Sequence, residues 1–372
     1  MKVHALWYAC LVVLVALLAL PASAQKPWTL QYEGSYTFPS MGTSGWGDYY
    51  PGSGAITFVP NGTPRPTWGG DPVQGPTILV SGGWGARTRE CGPIPALVKS
   101  GSLNTAPLIP LSSGGTAFNG GWPVTTVDST GMLWGLGPSS SSNPTALYES
   151  NSTASAMCYL GTNRSLANAH CTGWPGTYPI TGIMRRGDGS GNDLPSDGHQ
   201  VSPPAKFLLM QHANVTPDPL NVWQATRTGP TTVSSSLLFV ITNALNFTDG
   251  MAYSFEYVRD KNGEEWYLLW KKGPHTGDSF KFYVFEGTAS GGGTVLAKHE
   301  YDIGPDIVAG AGWHHSTSQI PDIGVDWANC QIHVLDGGVV GTPSPYHRTG
   351  RVHVFTVIGI PPPPKGTAII IK

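Results

Sequence analysis

The sequence predicts an all-β protein: a single β-propeller of about five to seven blades, closed by pairing of the N-terminal strand with the last blade. Three observations lead there. First, Ile320–Ile358 reads as strand, Ala328-Asn329 turn, strand, polar loop and strand. In Cys330–Asp336 and Arg351–Ile358 apolar and polar residues alternate with period two, the pattern of a strand with unlike faces. Second, the same grammar recurs near the other end, where Ser53–Pro60 is followed by Asn61-Gly62, a loop and the strand Thr77–Trp84. Third, 49 Gly and 33 Pro disfavour helix, and no long amphipathic helix is legible. A content of 12% charged and 40% hydrophobic residues argues for a packed core rather than disorder.

The chain opens with features of an export signal over residues 1–24. Lys2 gives a positive start, Ala5–Leu20 is an apolar run, and Pro21-Ala-Ser-Ala24 ends in the small-x-small pattern of a cleavage site. The run is short and stops at that site, which argues against a membrane span. The expected location is periplasmic or extracellular. The propeller domain is then expected over residues 25–360.

Trp28–Pro39 alternates like a strand and is the candidate to complete the last blade, because ring closure removes exposed sheet edges. Ile94–Lys99 and Leu108–Leu111 are short apolar pieces after the Thr77–Trp84 strand. Val124–Asp128 and Met132–Leu136 make a further strand pair. Ile183-Met184, Lys206–Gln211 and Asn221–Ala225 form a third unit with a long insertion at Arg185–Pro204. The fourth unit is the clearest. Met251–Val258 and Glu265–Trp270 flank a Lys261-Asn-Gly263 turn, and Ser279–Phe285 follows. Thr294–Tyr301 is read as its outer strand, and Ser234–Thr242 as part of this unit or the start of its own. Residues 361–372 hold four prolines, a stiff spacer, and then the apolar piece Ala368–Ile371. That piece either packs on its own domain or adds a strand to a second copy.

The two ends of the chain resemble a group of exported bacterial proteins. The residues that carry the resemblance are Tyr32-Glu-Gly-Ser-Tyr-Thr-Phe-Pro39, Gly54-Ala-Ile-Thr-Phe-Val-Pro60 and Ile94-Pro-Ala-Leu-Val98. At the close they are Asp322-Ile-Gly-Val-Asp-Trp327, Gln331-Ile-His-Val334 and Arg351-Val-His-Val-Phe355. The resemblance implies a β-propeller and export, with no settled activity. It covers roughly Leu30–Lys99 and Asp322–Val357, and it transfers no catalytic residue.

Formal net charge is −2 and there is no basic stripe, which excludes a nucleic-acid partner that needs its phosphates neutralised. Past the leader the cysteines are Cys91, Cys158, Cys171 and Cys330, an even number in an exported chain. Two disulfides are expected, Cys158–Cys171 across a local loop and Cys91–Cys330 between early and late blades. The alternative is buried free thiols. No CxxC pair supports zinc.

Asp188, Ser190, Asn192 and Asp193 place oxygens around glycines in a pattern suited to calcium; a solvated Asp/Gly turn fits the same spacing. For a glycan-directed hydrolase or lyase, with acid residues or a His/Asp metal site at the channel mouth, the candidates are Asp322, Asp326, His314 and His315. Adjacent His314 and His315 on an extended segment point to opposite sides and need a third ligand. His333 and His353 read as packed strand residues, and Gly-x-Ser-x-Gly is absent. Trp46, Tyr49, Tyr50, Trp84, Trp122 and Trp313 lie in or beside Gly-rich loops. Such rings stack on the apolar faces of sugars, or else cap blade ends. The expectation for function is therefore a non-catalytic exported propeller binding a glycan or a surface protein. The hydrolase is one alternative, and a surface or filament subunit that associates through the C-terminal tail is another.

Overall fold

The fold is described from a computed structural model. It covers residues 26–39, 55–59, 75–81, 88–109, 124–127, 133–135, 158–161, 169–170, 180–185, 206–212, 220–229, 232–241, 253–271, 281–286, 294–295, 299–304, 322–336 and 351–360. The expected leader, the Pro-rich spacer and the terminal apolar piece lie outside these residues. The described elements are all strands.

β1 (Trp28–Thr37) comes first in the chain. β2 (Ala55–Val59), β3 (Thr77–Ser81) and β4 (Thr88–Cys91) form one antiparallel sheet. β5 (Val124–Val127), β6 (Leu133–Gly135), β7 (Cys158–Gly161) and β8 (Ala169–His170) form the next. β9 (Ile180–Arg185), β10 (Lys206–His212), β11 (Leu220–Gly229) and β12 (Thr232–Ile241) follow as a third antiparallel run. β13 (Tyr253–Arg259), β14 (Glu265–Lys271) and β15 (Lys281–Glu286) come next, then β16 (Thr294–Val295) and β17 (His299–Asp302). β17 completes the fourth sheet, in the order β13-β14-β15-β17. β18 (Ile323–Asp326), β19 (Gln331–Asp336) and β20 (Arg351–Gly359) are the last strands.

The final sheet runs β1-β20-β19-β18, so the N-terminal strand pairs with the C-terminal one. First strands of different sheets also meet: β18 lies against β2, β2 against β5, β5 against β9, β9 against β13, and β13 against β18.

Several expectations are corrected. Thr294–Tyr301 is split. Its first part, β16, runs parallel to the end of β12, and only its second part, β17, edges the fourth sheet. The Ser234–Thr242 strand belongs to the third sheet, paired with β11. The turn between β18 and β19 spans Trp327–Cys330 rather than two residues, because Asp326 pairs with Gln331. Cys330 takes φ 54 there, a left-handed conformation that ends the turn.

The alternation in β19 and β20 does not mark a solvent face. Both faces of the last sheet are covered. On one side Ile332, Val334, Phe355 and Val357 pack with Leu268, Trp270, Phe282 and Val284 of the fourth sheet. On the other side Leu335, Val352 and Val354 pack with Ile56, Ile78 and Val80 of the first. Each such side chain contributes about 1.5–3 kcal/mol on burial. The polar residues in the alternation are buried too, His333 at 3% exposure and His353 at 0%, as the packed-strand reading of both expected. Both ring nitrogens of His353 are hydrogen-bonded, which makes its burial tolerable, whereas His333 has one bond, to Tyr36.

The expected Cys91–Cys330 disulfide is absent, and both residues are buried thiols, the stated alternative. Cys91 sits among Tyr36, Ile78 and Ala106 in the apolar cluster beside the first sheet. The Cys330 thiol instead donates to the carbonyl of Asp260, 3.3 Å away. Each sulfur already has an environment that suits a thiol. The side chains of Cys158 and Cys171 lie outside the described residues.

β1 is fastened on three sides. It pairs with β20 from Trp28↔Gly359 to Thr37↔Arg351, with a bulge between Tyr32 and Gly34. The Trp28 N–H donates to the Tyr301 hydroxyl of β17 at 2.8 Å, and that hydroxyl donates to the Trp28 carbonyl at 3.2 Å. On its far edge Ser35 and Val98 exchange backbone hydrogen bonds of 2.8 and 3.0 Å. Gly34 makes this approach possible. Its φ is +130°, and a Cβ there would lie 3.0 Å from the Val98 backbone.

Candidate functional site

Two of the acid candidates are described, and both are buried. Asp322 stands just before β18, and its Oδ2 accepts the Ile56 N–H of β2 at 2.9 Å. Asp326 ends β18, where its Oδ1 accepts the Asn329 N–H at 3.1 Å and its Oδ2 accepts the Asn329 side-chain amide at 2.7 Å. The two carboxylates lie at opposite ends of a strand, about 13 Å apart at 3.3 Å per residue. The structure does not bring them together across a pocket. Each holds a main-chain N–H, one between sheets and one in a turn.

The described residues do converge elsewhere, at a place no motif announced. Where β1, β20 and β19 lie side by side, Ser35, His353 and Asp336 form a chain of side chains. Ser35 Oγ lies 2.6 Å from His353 Nδ1, and His353 Nε2 lies 3.2 Å from Asp336 Oδ2. Tyr32 extends the chain at one end, its hydroxyl 2.7 Å from Ser35 Oγ. Arg351 extends it at the other, with Nη1 3.5 Å from Asp336 Oδ2.

The register produces this group. Ser35 pairs with His353, His353 with Val334, and Arg351 with both Thr37 and Asp336. The order of donors follows from the ends. A carboxylate accepts, so His353 Nε2 carries the hydrogen and Nδ1 is the acceptor. Ser35 then donates to Nδ1, and Tyr32 donates to Ser35. Burial raises the Tyr32 hydroxyl above its ordinary range, against the opposing effects of the Ser35 bond and the Arg351 charge. Burial also lowers Arg351, which the Asp336 carboxylate partly restores.

Serine, histidine and aspartate in a row are the components of an acyl-transfer triad. The setting differs from one. Ser35 has 0% exposure, His353 0% and Asp336 3%, and both the N–H and the carbonyl of Ser35 are engaged with Val98. A nucleophile needs a face open to substrate. What this arrangement does is hold three strands, with every hydroxyl and ring nitrogen of the Ser35–His353 pair engaged. Ser35 and His353 are 318 positions apart, so only the β1–β20 register reveals the arrangement.

On the opposite face of β19, His333 Nδ1 lies 3.3 Å from the Tyr36 hydroxyl. Its ring is 4.8 Å from that of Phe58 between centroids. Burial drives His333 down to about 3, so it is neutral.

Trp46, Tyr49, Tyr50, Trp84, Trp122, Trp313, His314 and His315 lie outside the described residues. So do the calcium candidates Asp188, Ser190, Asn192 and Asp193. Among the described residues no three His, Cys, Asp or Glu side chains converge to hold a metal. No helix among them is long and apolar enough to cross a membrane. No protein-family model matches the chain, and no curated protein matches it.

Proposed function

We propose that the chain is an exported, non-catalytic five-bladed β-propeller that binds a glycan, or the glycan-bearing surface of a protein, through one edge of its ring. In this reading β18, β2, β5, β9 and β13 are the inner strands of successive blades, and β1 is the outer strand that closes the last one. Their side-by-side succession supports it. So does the shared direction of β18 and β2: Asp322 sits at Ile56, and Gly324 sits beside Phe58.

The observation that carries the binding reading is where the aromatic segments join the sheets. When a blade is counted from its inner strand, the start of strand one, the end of two, the start of three and the end of four share an edge. Trp46, Tyr49 and Tyr50 belong to the connection from the end of β1 to the start of β2. Trp84 lies between the end of β3 and the start of β4, and Trp122 precedes the start of β5. Trp313, with His314 and His315, lies between the end of β17 and the start of β18. In this reading the strand ends next to these six aromatics in sequence share one edge. The segment with Asp188, Ser190, Asn192 and Asp193 lies in sequence between the end of β9 and the start of β10, strand ends of the other edge in this reading. Aromatic residues in connections of that kind suit stacking on the apolar faces of sugars, with polar neighbours for the hydroxyls.

The test is binding of the purified protein to arrayed glycans and to cell-wall polysaccharide, followed by Trp46→Ala, Trp84→Ala and Trp313→Ala. The expected result is saturable binding weakened tenfold or so by each change, about 1.4 kcal/mol. Blank arrays and polysaccharides, or binding indifferent to all three changes, would overturn the proposal.

A further inference from the structure

The last sheet holds two buried histidines, and both grip β1. His353 meets Ser35 on one face of the sheet, and His333 meets Tyr36 on the other. Ser35 and Tyr36 are successive residues, so the strand is held from both sides at one point. β1 is also the one strand of this sheet contributed by the other end of the chain. Its departure leaves β18, β19 and β20 joined in series. We infer that β1 is an acid-sensitive seal, released from β20 because His333 binds a proton once the Tyr36 ring no longer covers it.

The surroundings of the two rings assign the sensitivity to His333. Around it β1 supplies the Tyr36 hydroxyl, β2 the Phe58 ring, and β18 the backbone of Gly324, its cross-strand partner. On β20 the residue opposite is Val354. The nearest carboxylates on β18 are Asp322 and Asp326, engaged with Ile56 and Asn329. From β4, Cys91 faces Tyr36 and, after burial, adds to the upward shift of its hydroxyl. Among the described residues His333 Nε2 has no hydrogen-bond partner. A cation here gains nothing while β1 is in place, and burial opposes it.

His353 is different. It faces Tyr32 and Ser35 from β1, Asp336 from β19 and Arg351 from its own strand. Both ring nitrogens of His353 are already bonded in the closed state, whereas only one of His333 is.

Hydrogen exchange of the intact protein at pH 7.5 and pH 5.0, corrected for intrinsic rates, tests the idea. A group at about 3 when covered and about 6.5 when free makes opening about thirty-fold easier over that interval. Amides of residues 28–37 are expected to lose about that much protection. Those of the β13–β14 hairpin, residues 253–271, should change little. His333→Phe abolishes the loss, and Ser35→Ala leaves it in place. Should His333→Phe fail to fold, His333→Gln removes the same titration while keeping a polar atom for Tyr36. An equal loss in both segments, no loss in β1, or an unchanged loss in the His333 variant overturns the inference.

Discussion

The carboxylate of Asp322 accepts the main-chain N–H of Ile56 at 2.9 Å, joining positions 266 apart in the chain. The bond ties the start of the last sheet's first strand to the start of β2. It also satisfies a buried donor on a residue that is itself 1% exposed. Asp322→Ala leaves that N–H without a partner and is expected to lower the unfolding free energy by about 1–3 kcal/mol. Asp322→Asn retains an acceptor oxygen and is expected to lose less than half as much. Urea denaturation of the three proteins checks this order. A catalytic carboxylate gives the reverse pattern, with stability kept and function lost in the Asn variant.

Gly34 and Gly101 both have positive φ, +130° and +89°, but they differ in what surrounds them. A Cβ on Gly101 meets nothing within 4 Å, whereas one on Gly34 meets the Val98 backbone at 3.0 Å. Gly101→Ala therefore carries only the conformational cost, about 1 kcal/mol. Gly34→Ala adds a collision with backbone that is itself hydrogen-bonded to Ser35, and the total is expected at about 3 kcal/mol or more. Paired thermal melts read the difference. Equal effects at the two sites mean that the Val98 segment yields without cost.

Strand positions were legible because alternation and turn chemistry act locally. Lys261-Asn-Gly263 marked the β13–β14 hairpin, and Gly263 takes φ +88°. Which strand joins which sheet was less legible. β12 and β16 lie 54 positions apart at Val240 and Thr294, and nothing local in either names the other. The expectation of a Cys91–Cys330 disulfide failed for a similar reason. An even cysteine count says nothing of neighbours, and Cys91 has an apolar pocket while Cys330 has a carbonyl to bond. The Ser35–His353–Asp336 chain escaped notice because each member looks ordinary in its own strand. Asp322 and Asp326 drew attention as acids. Their engagement with Ile56 and Asn329 depends on where β2 and the 327–330 turn lie in space.

The acid response of stability should carry the signature of His333. Its folded value is about 3 and the unfolded reference is about 6.5, so between those limits the unfolded chain binds more protons. Stability then rises with pH. The contribution of neutral, buried His333 is fully present above about pH 6.5 and is lost as pH falls toward 3, at about 1.4 kcal/mol per pH unit. Carboxylates titrate in the lower part of this range as well, so the wild-type slope alone does not isolate the ring. The difference between wild type and His333→Phe does, because the remaining groups cancel to first order. Between pH 6.0 and 4.5 that difference is expected to shift by about 2 kcal/mol in favour of the variant, read from urea unfolding at each pH. A difference that stays constant with pH means that His333 keeps an ordinary affinity for protons in the folded protein, and that the Tyr36 and Phe58 rings do not shield it.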